Sequence, residues 1–124
     1  MKKIIVQMRR GVFEAKLDAS GIHYEKDFEE RPFTDDEVKT SLIFIKCYAK
    51  GIKTIARGTS YGLKHEAENF GEMLNRDFDL ATTSYVSNGA FIYAMTKSGF
   101  VPYWEPQFGY NAKFKVSFNN KQFR

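Results

Sequence analysis

The sequence predicts an α+β fold: an N-terminal antiparallel β-meander, three central helices and a C-terminal β-hairpin, in one domain spanning residues 1–124. Three observations carry this reading. Ile4 to Met8 reads as a strand, and apolar and polar residues alternate from Phe13 to Asp18 and from Ile22 to Glu25, the period of half-buried strands. Between Thr34 and Gly99 apolar residues return at helical spacing, punctuated by cap residues. From Ala112 to Phe118 the period of two reappears.

Taken in order, Ile4 to Met8 reads as a strand that turns at Arg9-Arg10-Gly11. Phe13, Ala15 and Leu17 then alternate with Glu14, Lys16 and Asp18. Ser20-Gly21 signals a second turn, and Ile22 and Tyr24 alternate with His23 and Glu25 in a short third strand. The segment that follows, to Phe33, is expected to be an exposed connector. From Glu25 to Glu37 acids outnumber bases seven to two.

The first helix opens on a capping box, Thr34 with Glu37 three residues on, so that hydroxyl and carboxylate each satisfy an orphan backbone N–H. Asp35 and Asp36 suit the positive end of its dipole. Val38, Leu42, Ile45 and Ala49 form the expected apolar face, widened by Phe44 and Tyr48, and Gly51 is the expected stop. Cys47 lies in the apolar run Leu42–Tyr48 and reads as a small buried hydrophobe. As the only cysteine it excludes an internal disulfide and a cysteine zinc cluster.

A basic linker covers 53–58, and Thr59 or Ser60 caps a second helix with Leu63, Ala67, Phe70 and Leu74 on one face. Gly62 and Gly71 weaken that helix by about 1 kcal/mol each relative to alanine, and such glycines often mark close approach of another backbone. Residues 75–83 read as a loop. Ser87 caps the third helix, and Gly99 ends it in a left-handed conformation with Phe100 folding back. Val101–Glu105 then pairs with Ala112–Phe118, which turns Phe114, Val116 and Phe118 inward and Lys113 and Lys115 outward. Residues 119–124 are expected to fray.

Composition removes whole classes of function. Hydrophobic residues make up 43% of the chain, too many for a disordered one. No apolar run approaches the ~20 residues that span a bilayer, and the start of the chain lacks the apolar core of a secretory signal. A cytoplasmic protein with no membrane partner is expected. The net charge of +4 is unevenly spread: from Lys97 to Arg124 bases outnumber acids five to one, a surface suited to phosphate or to an acidic protein.

Catalytic motifs are missing. His65-Glu66-Ala67-Glu68-Asn69 has the start of a zinc-protease helix, but Asn69 stands where the second histidine belongs. There is no nucleophile elbow, no Walker loop and no dinucleotide fingerprint. Asp77 and Asp79 read as solubilising acids. No enzyme activity, cofactor or metal is expected.

Binding chemistry fits better. Arg57, Ser60, Tyr61 and Lys64 gather at a helix start, where N–H groups and cations suit phosphate. Tyr85 and Asn88 open the third helix, and asparagine can read adenine through paired hydrogen bonds. Tyr103, Trp104, Phe108 and Tyr110 are aromatic anchors beside Lys113 and Lys115. Helix, helix, basic hairpin is the order of a winged-helix module. The gap before the third helix is longer than the DNA-binding turn, and that helix carries only Lys97 as a cation.

The strings SYGLKHEAE, YVSNGAFIYAMTKSGF and NAKFKVSF resemble a group of short proteins of phages and other mobile elements, over roughly residues 59–118. The resemblance implies an accessory protein that regulates promoters or disables host defence, CRISPR effectors included. It transfers no functional residue. The expected role is therefore a non-catalytic inhibitor that binds a host protein or nucleoprotein complex. A DNA-binding regulator that contacts DNA or RNA directly is the alternative, and a homodimer is compatible with both. A third reading, sequestration of a nucleotide signal, needs a pocket with stacking aromatics and an arginine such as Arg57.

Overall fold

The computed structural model describes residues 2–25, 28–78 and 83–118. Its element order is β1 (Lys2–Met8), β2 (Gly11–Asp18), β3 (Gly21–His23), α1 (Asp35–Tyr48), β4 (Ala49–Gly51), α2 (Ser60–Phe78), α3 (Asn88–Lys97), a 3-10 turn (Pro106–Phe108) and β5 (Val116–Phe118). The α+β class holds: a three-stranded antiparallel sheet β1-β2-β3, three helices and a two-stranded sheet β4-β5.

The meander forms as its alternation demands. Val6 lies opposite Phe13 and Ile4 opposite Ala15, and Ile4, Val6, Ala15 and Leu17 are buried. β3 stops at His23, short of Glu25. The core then continues through α1 and α3 to the last strand. Phe44, Phe91 and Phe114 are fully buried, and the Phe44 ring lies 5.7 Å from Phe70 and 5.0 Å from Phe118. Aromatic pairs at such separations add to the gain from burial itself.

The N-caps of α1 and α3 and the C-terminal cap of α3 fall where the residues place them. Thr34 accepts from the Glu37 N–H at 3.2 Å, and Glu37 accepts from the Thr34 N–H at 2.8 Å. Ser87 Oγ accepts from the Ala90 N–H at 3.2 Å. Gly99 has φ +92°, its N–H donates to Thr96 O, and Phe100 N–H reaches back to Met95 O at 3.0 Å, which is a Schellman closure. Gly99→Val is therefore expected to lower stability by more than about 1 kcal/mol, because a β-branched residue is strained at positive φ. An unchanged thermal melting temperature would show that this cap is dispensable.

Several expectations are corrected. The buried side of α1 is turned toward Phe44 and takes in Glu37, Thr40 and Ser41, while Leu42 is only half-buried. Polar residues can face the core there because each has a partner: Thr40 Oγ1 donates to Thr83 O, and Ser41 Oγ to Glu37 O. The same rotation leaves Cys47 exposed. Gly51 does not stop α1. The helix ends at Tyr48, and Ala49 is already extended, entering a strand that pairs with β5. α2 runs on to Phe78, through the start of the expected loop. Gly71 does meet another backbone, since a Cβ there would lie 2.7 Å from Thr83 O, whereas Gly62 faces open space.

The last segment pairs differently from a simple hairpin. Val101–Glu105 meets the following leg only through Tyr103 and Lys113, and Tyr103 also bridges Gln7 of β1. Pro102 faces β1, where its carbonyl accepts from the Gln7 N–H and it has no N–H to lengthen that bridge. The second leg is joined instead to residues 49–60: β5 pairs with β4, and the N–H groups of Ile52, Ala56 and Ser60 donate to the carbonyls of Lys115, Phe114 and Ala112. The expected basic linker is thus tied along the C-terminal strand. The expected frayed tail, residues 119–124, lies outside the described residues, as do Asp79 and the acidic segment's Lys26 and Asp27.

Candidate binding cleft

A cleft of about 530 Å³ opens where the start of α2, the start of α3, the β2–β3 turn and the loop after the 3-10 turn converge. Tyr61, Lys64, Tyr85, Asn88, Phe108 and Tyr110 all line it. These residues, from three separate stretches of sequence, are thereby brought together.

Lys64 is one of two charged side chains in the wall, and only 8% of it is exposed. Its ammonium lies 5.2 Å from the Tyr61 ring centre and 5.6 Å from that of Tyr85, and it donates to Glu68 Oε1 at 3.2 Å. A desolvated cation held over ring faces is stabilised by their quadrupoles. Glu68 is a hub behind the wall: Oε1 also faces His65 Nδ1 at 2.9 Å, and Oε2 accepts the Val86 N–H at 3.2 Å. This joins α2 to the residue before the α3 cap. It also gives His65 a carboxylate partner one turn along its own helix.

Asn88 forms part of the floor and is buried. Its Nδ2 donates to Ser20 O at 2.9 Å, Asn111 Oδ1 at 3.0 Å and Tyr110 O at 3.3 Å. The side chain thus fastens the β2–β3 turn to the 110–111 loop, and its amide hydrogens are not free to read a base. Its Oδ1 is buried without a partner. Tyr61, Tyr85 and Tyr110, by contrast, are exposed.

The remaining nominated residues lie elsewhere. Ser60 is buried, and its Oγ accepts the Ala112 N–H at 2.9 Å, so it holds the fold and not a phosphate. Trp104 is also buried, donating from Nε1 to Gly109 O at 2.7 Å and stacking on Tyr24, which removes it as an exposed anchor. Tyr103 and Trp104 line a second hollow of about 410 Å³, with Phe108 shared between the two. Lys113 Nζ sits 5.2 Å from the Phe108 ring centre and Lys115 Nζ 5.3 Å from that of Tyr103. Arg57 is exposed on the strapped segment 52–59 and lines neither hollow.

Sequence reasoning missed Arg31 and Asn111, which also line the cleft. Arg31 stands inside the acidic connector, where nothing marks it out. Its backbone explains its position: its N–H donates to Asp18 Oδ2 at 3.0 Å, and its carbonyl accepts from Ala19.

Behind the cleft, His23 is held between two carboxylates, with Nε2 2.7 Å from Asp18 Oδ1 and Nδ1 2.7 Å from Glu25 Oε1. The His23 hydrogen bond holds the Glu25 carboxyl below its usual value. Both ring nitrogens thus face carboxylates of the protein's own β2–β3 region. The His23 ring stacks on Phe28 at 3.7 Å and supports Tyr110 at 4.9 Å. Among the described residues no three His, Cys, Asp or Glu side chains are grouped to hold a metal ion, and no helix is long and apolar enough to cross a membrane.

α3 is packed into the protein. Asn88 to Ile92, Ala94 and Met95 are all buried, so its start is not presented as a groove-reading surface.

Comparison of the chain with protein-family models, with curated proteins and with solved structures gives no match.

Proposed function

We propose that this protein is a non-catalytic accessory factor of a phage or other mobile element that binds a host defence nucleoprotein and blocks it, in the manner of an anti-CRISPR protein. It works in the host cytoplasm. The observation that carries the reading is the cleft lining: Tyr61, Tyr85, Phe108 and Tyr110 beside Lys64 and Arg31, with no carboxylate among the lining residues. Exposed aromatics beside cations are the composition of recognition surfaces, and their partners are the anionic and aromatic groups of nucleoproteins. Lys113 and Lys115 extend the same charge past Phe108. The regulator alternative asks α3 to read a groove, and the burial of α3 weighs against it.

The test is phage plating on cells that carry an active CRISPR effector directed against that phage. Expression of the protein is expected to restore plating toward that on cells without the effector. The double variant Lys113→Glu/Lys115→Glu is expected to melt like the parent and to lose part or all of the effect. Unrestored plating against every effector type tried would sink the proposal.

A further inference from the structure

The cleft has a more specific chemistry than a generic contact surface. It is rich in hydrogen-bond donors and cations and contains no acid, although the chain carries 15 acids. The Lys64 ammonium has three donor positions, and one is directed to Glu68. The Arg31 guanidinium has no ion pair among the described residues. Ser87 Oγ accepts from the Ala90 N–H and its hydroxyl bonds the Glu37 carboxylate, so it belongs to the α1–α3 junction and not to the free donors. Asn111 uses Oδ1 on Asn88, so its amide hydrogens remain for a ligand. Donors and cations of this kind suit an anion, and the tyrosine faces offer a platform to a flat ring.

From this juxtaposition we infer that the cleft binds a nucleoside phosphate, with the base stacked against Tyr85 or Tyr61 and the phosphate held by Lys64 and Arg31. The volume of about 530 Å³ lies within the range of small-ligand sites, roughly 300–1,000 Å³. A base gains from any exposed aromatic face, so the stack requires little base specificity. The floor is preorganised, because Asn88 ties the β2–β3 turn to the 110–111 loop and His23 backs Tyr110. The same chemistry is supplied by a free nucleotide and by the phosphorylated end of a single strand. The inference rests on the reading of this cleft as the binding site.

The experiment is calorimetric titration of the purified chain at low salt with the 5′-monophosphates of adenosine, guanosine, cytidine and uridine. Adenosine, inorganic phosphate and a 5′-phosphorylated trinucleotide are titrated in parallel. At least one monophosphate or the trinucleotide is expected to bind at one per chain, more tightly than adenosine or phosphate alone. Tighter binding of the trinucleotide identifies a strand end as the source, and equal or tighter binding of a monophosphate identifies a free nucleotide. Tyr85 and Arg31 are both exposed, so their variants are expected to fold like the parent. Tyr85→Ala is expected to weaken binding about tenfold. Arg31→Gln is expected to weaken binding of the phosphorylated ligands several-fold and to leave adenosine unchanged. Absence of binding by all four monophosphates and the trinucleotide overturns the assignment, and so does binding that Tyr85→Ala and Arg31→Gln leave intact. The titration contains no host component. A failed titration therefore removes the nucleotide and leaves the plating result standing, and a failed plating assay leaves the titration standing.

Discussion

Replacing Gly89 with alanine is expected to lower stability by about 3 kcal/mol or more, among the largest effects of any conservative change in this chain. A Cβ at this position would overlap the carbonyl oxygen of Asp18 and press on the Ala19 Cα. Both obstacles are backbone atoms, which cannot rotate aside as a side chain can. The contact is fixed from both directions, because the Gly89 N–H donates to Ala19 O at 3.0 Å. Asp18 is itself buried, accepting from Ser20 and Arg31 and facing His23. To admit a methyl group, the β2–β3 turn must withdraw from α3. The melting temperature should fall by roughly 10 °C or more. A shift within about 2 °C would mean that turn and helix separate at little cost. The cleft shares this junction, so the variant is also expected to lose any ligand that the parent cleft holds.

Glu37→Gln is expected to cost about 2 kcal/mol, although the side chain keeps its shape. The carboxylate spans two helix starts. Oε2 accepts from the Thr34 N–H and hydroxyl at the start of α1, and Oε1 accepts from the Ser87 N–H at the cap of α3 at 2.8 Å. Glutamine has one acceptor oxygen, so its NH₂ would face an N–H at one end or the other and leave a buried donor unpaired. Burial by itself pushes the Glu37 carboxyl up. The hydrogen bonds from Thr34 and Ser87 together outweigh it and hold the group below its usual 4.5. A depressed folded value contributes stability that is present above the unfolded value and lost as pH falls through the folded one. Chemical denaturation from pH 7 down to about pH 3 should show the parent losing stability below the ordinary carboxylate range. The glutamine variant starts lower and lacks this component of the loss. Parallel curves, or equal stability at pH 7, would show that the bridge is not energetic.

The parts of the fold that were legible in the sequence are those set by local chemistry. Thr34 with Glu37, Ser87 with Ala90, and Gly99 with Phe100 each act within a turn of helix, so short stretches specify them. The face of α1 was not legible, because its orientation depends on partners distant in sequence. Thr40 is buried by the carbonyl of Thr83, and Glu37 by the N–H of Ser87. β4 was hidden for the same reason: Ala49-Lys50-Gly51 has no strand pattern of its own and is extended because β5 lies beside it. In the cleft, tyrosine and lysine were nominated on chemical grounds at separate places. Their convergence depends on Gly89 seating the turn, which no spacing rule encodes. Ser60, Asn88 and Trp104 are expected from their chemistry to meet a ligand, but their polar atoms are committed to hydrogen bonds within the protein.

The clasp at Tyr103, which joins Gln7 on one side and Lys113 on the other, has a consequence in time. It brings the first strand and the last third of the chain into one backbone connection, and the strapping of residues 52–60 to Lys115, Phe114 and Ala112 adds further long loops to be closed. Closing such loops costs chain entropy before the contacts repay it, so folds of this wiring assemble slowly compared with helical bundles. On the ribosome, the meander and α1 can emerge and begin to order before the core aromatic Phe114 and the partner of β4 have been made. Until then the inner faces of Phe44 and Phe91 lack part of their cover, and the nascent chain is at its most vulnerable to proteases and to aggregation.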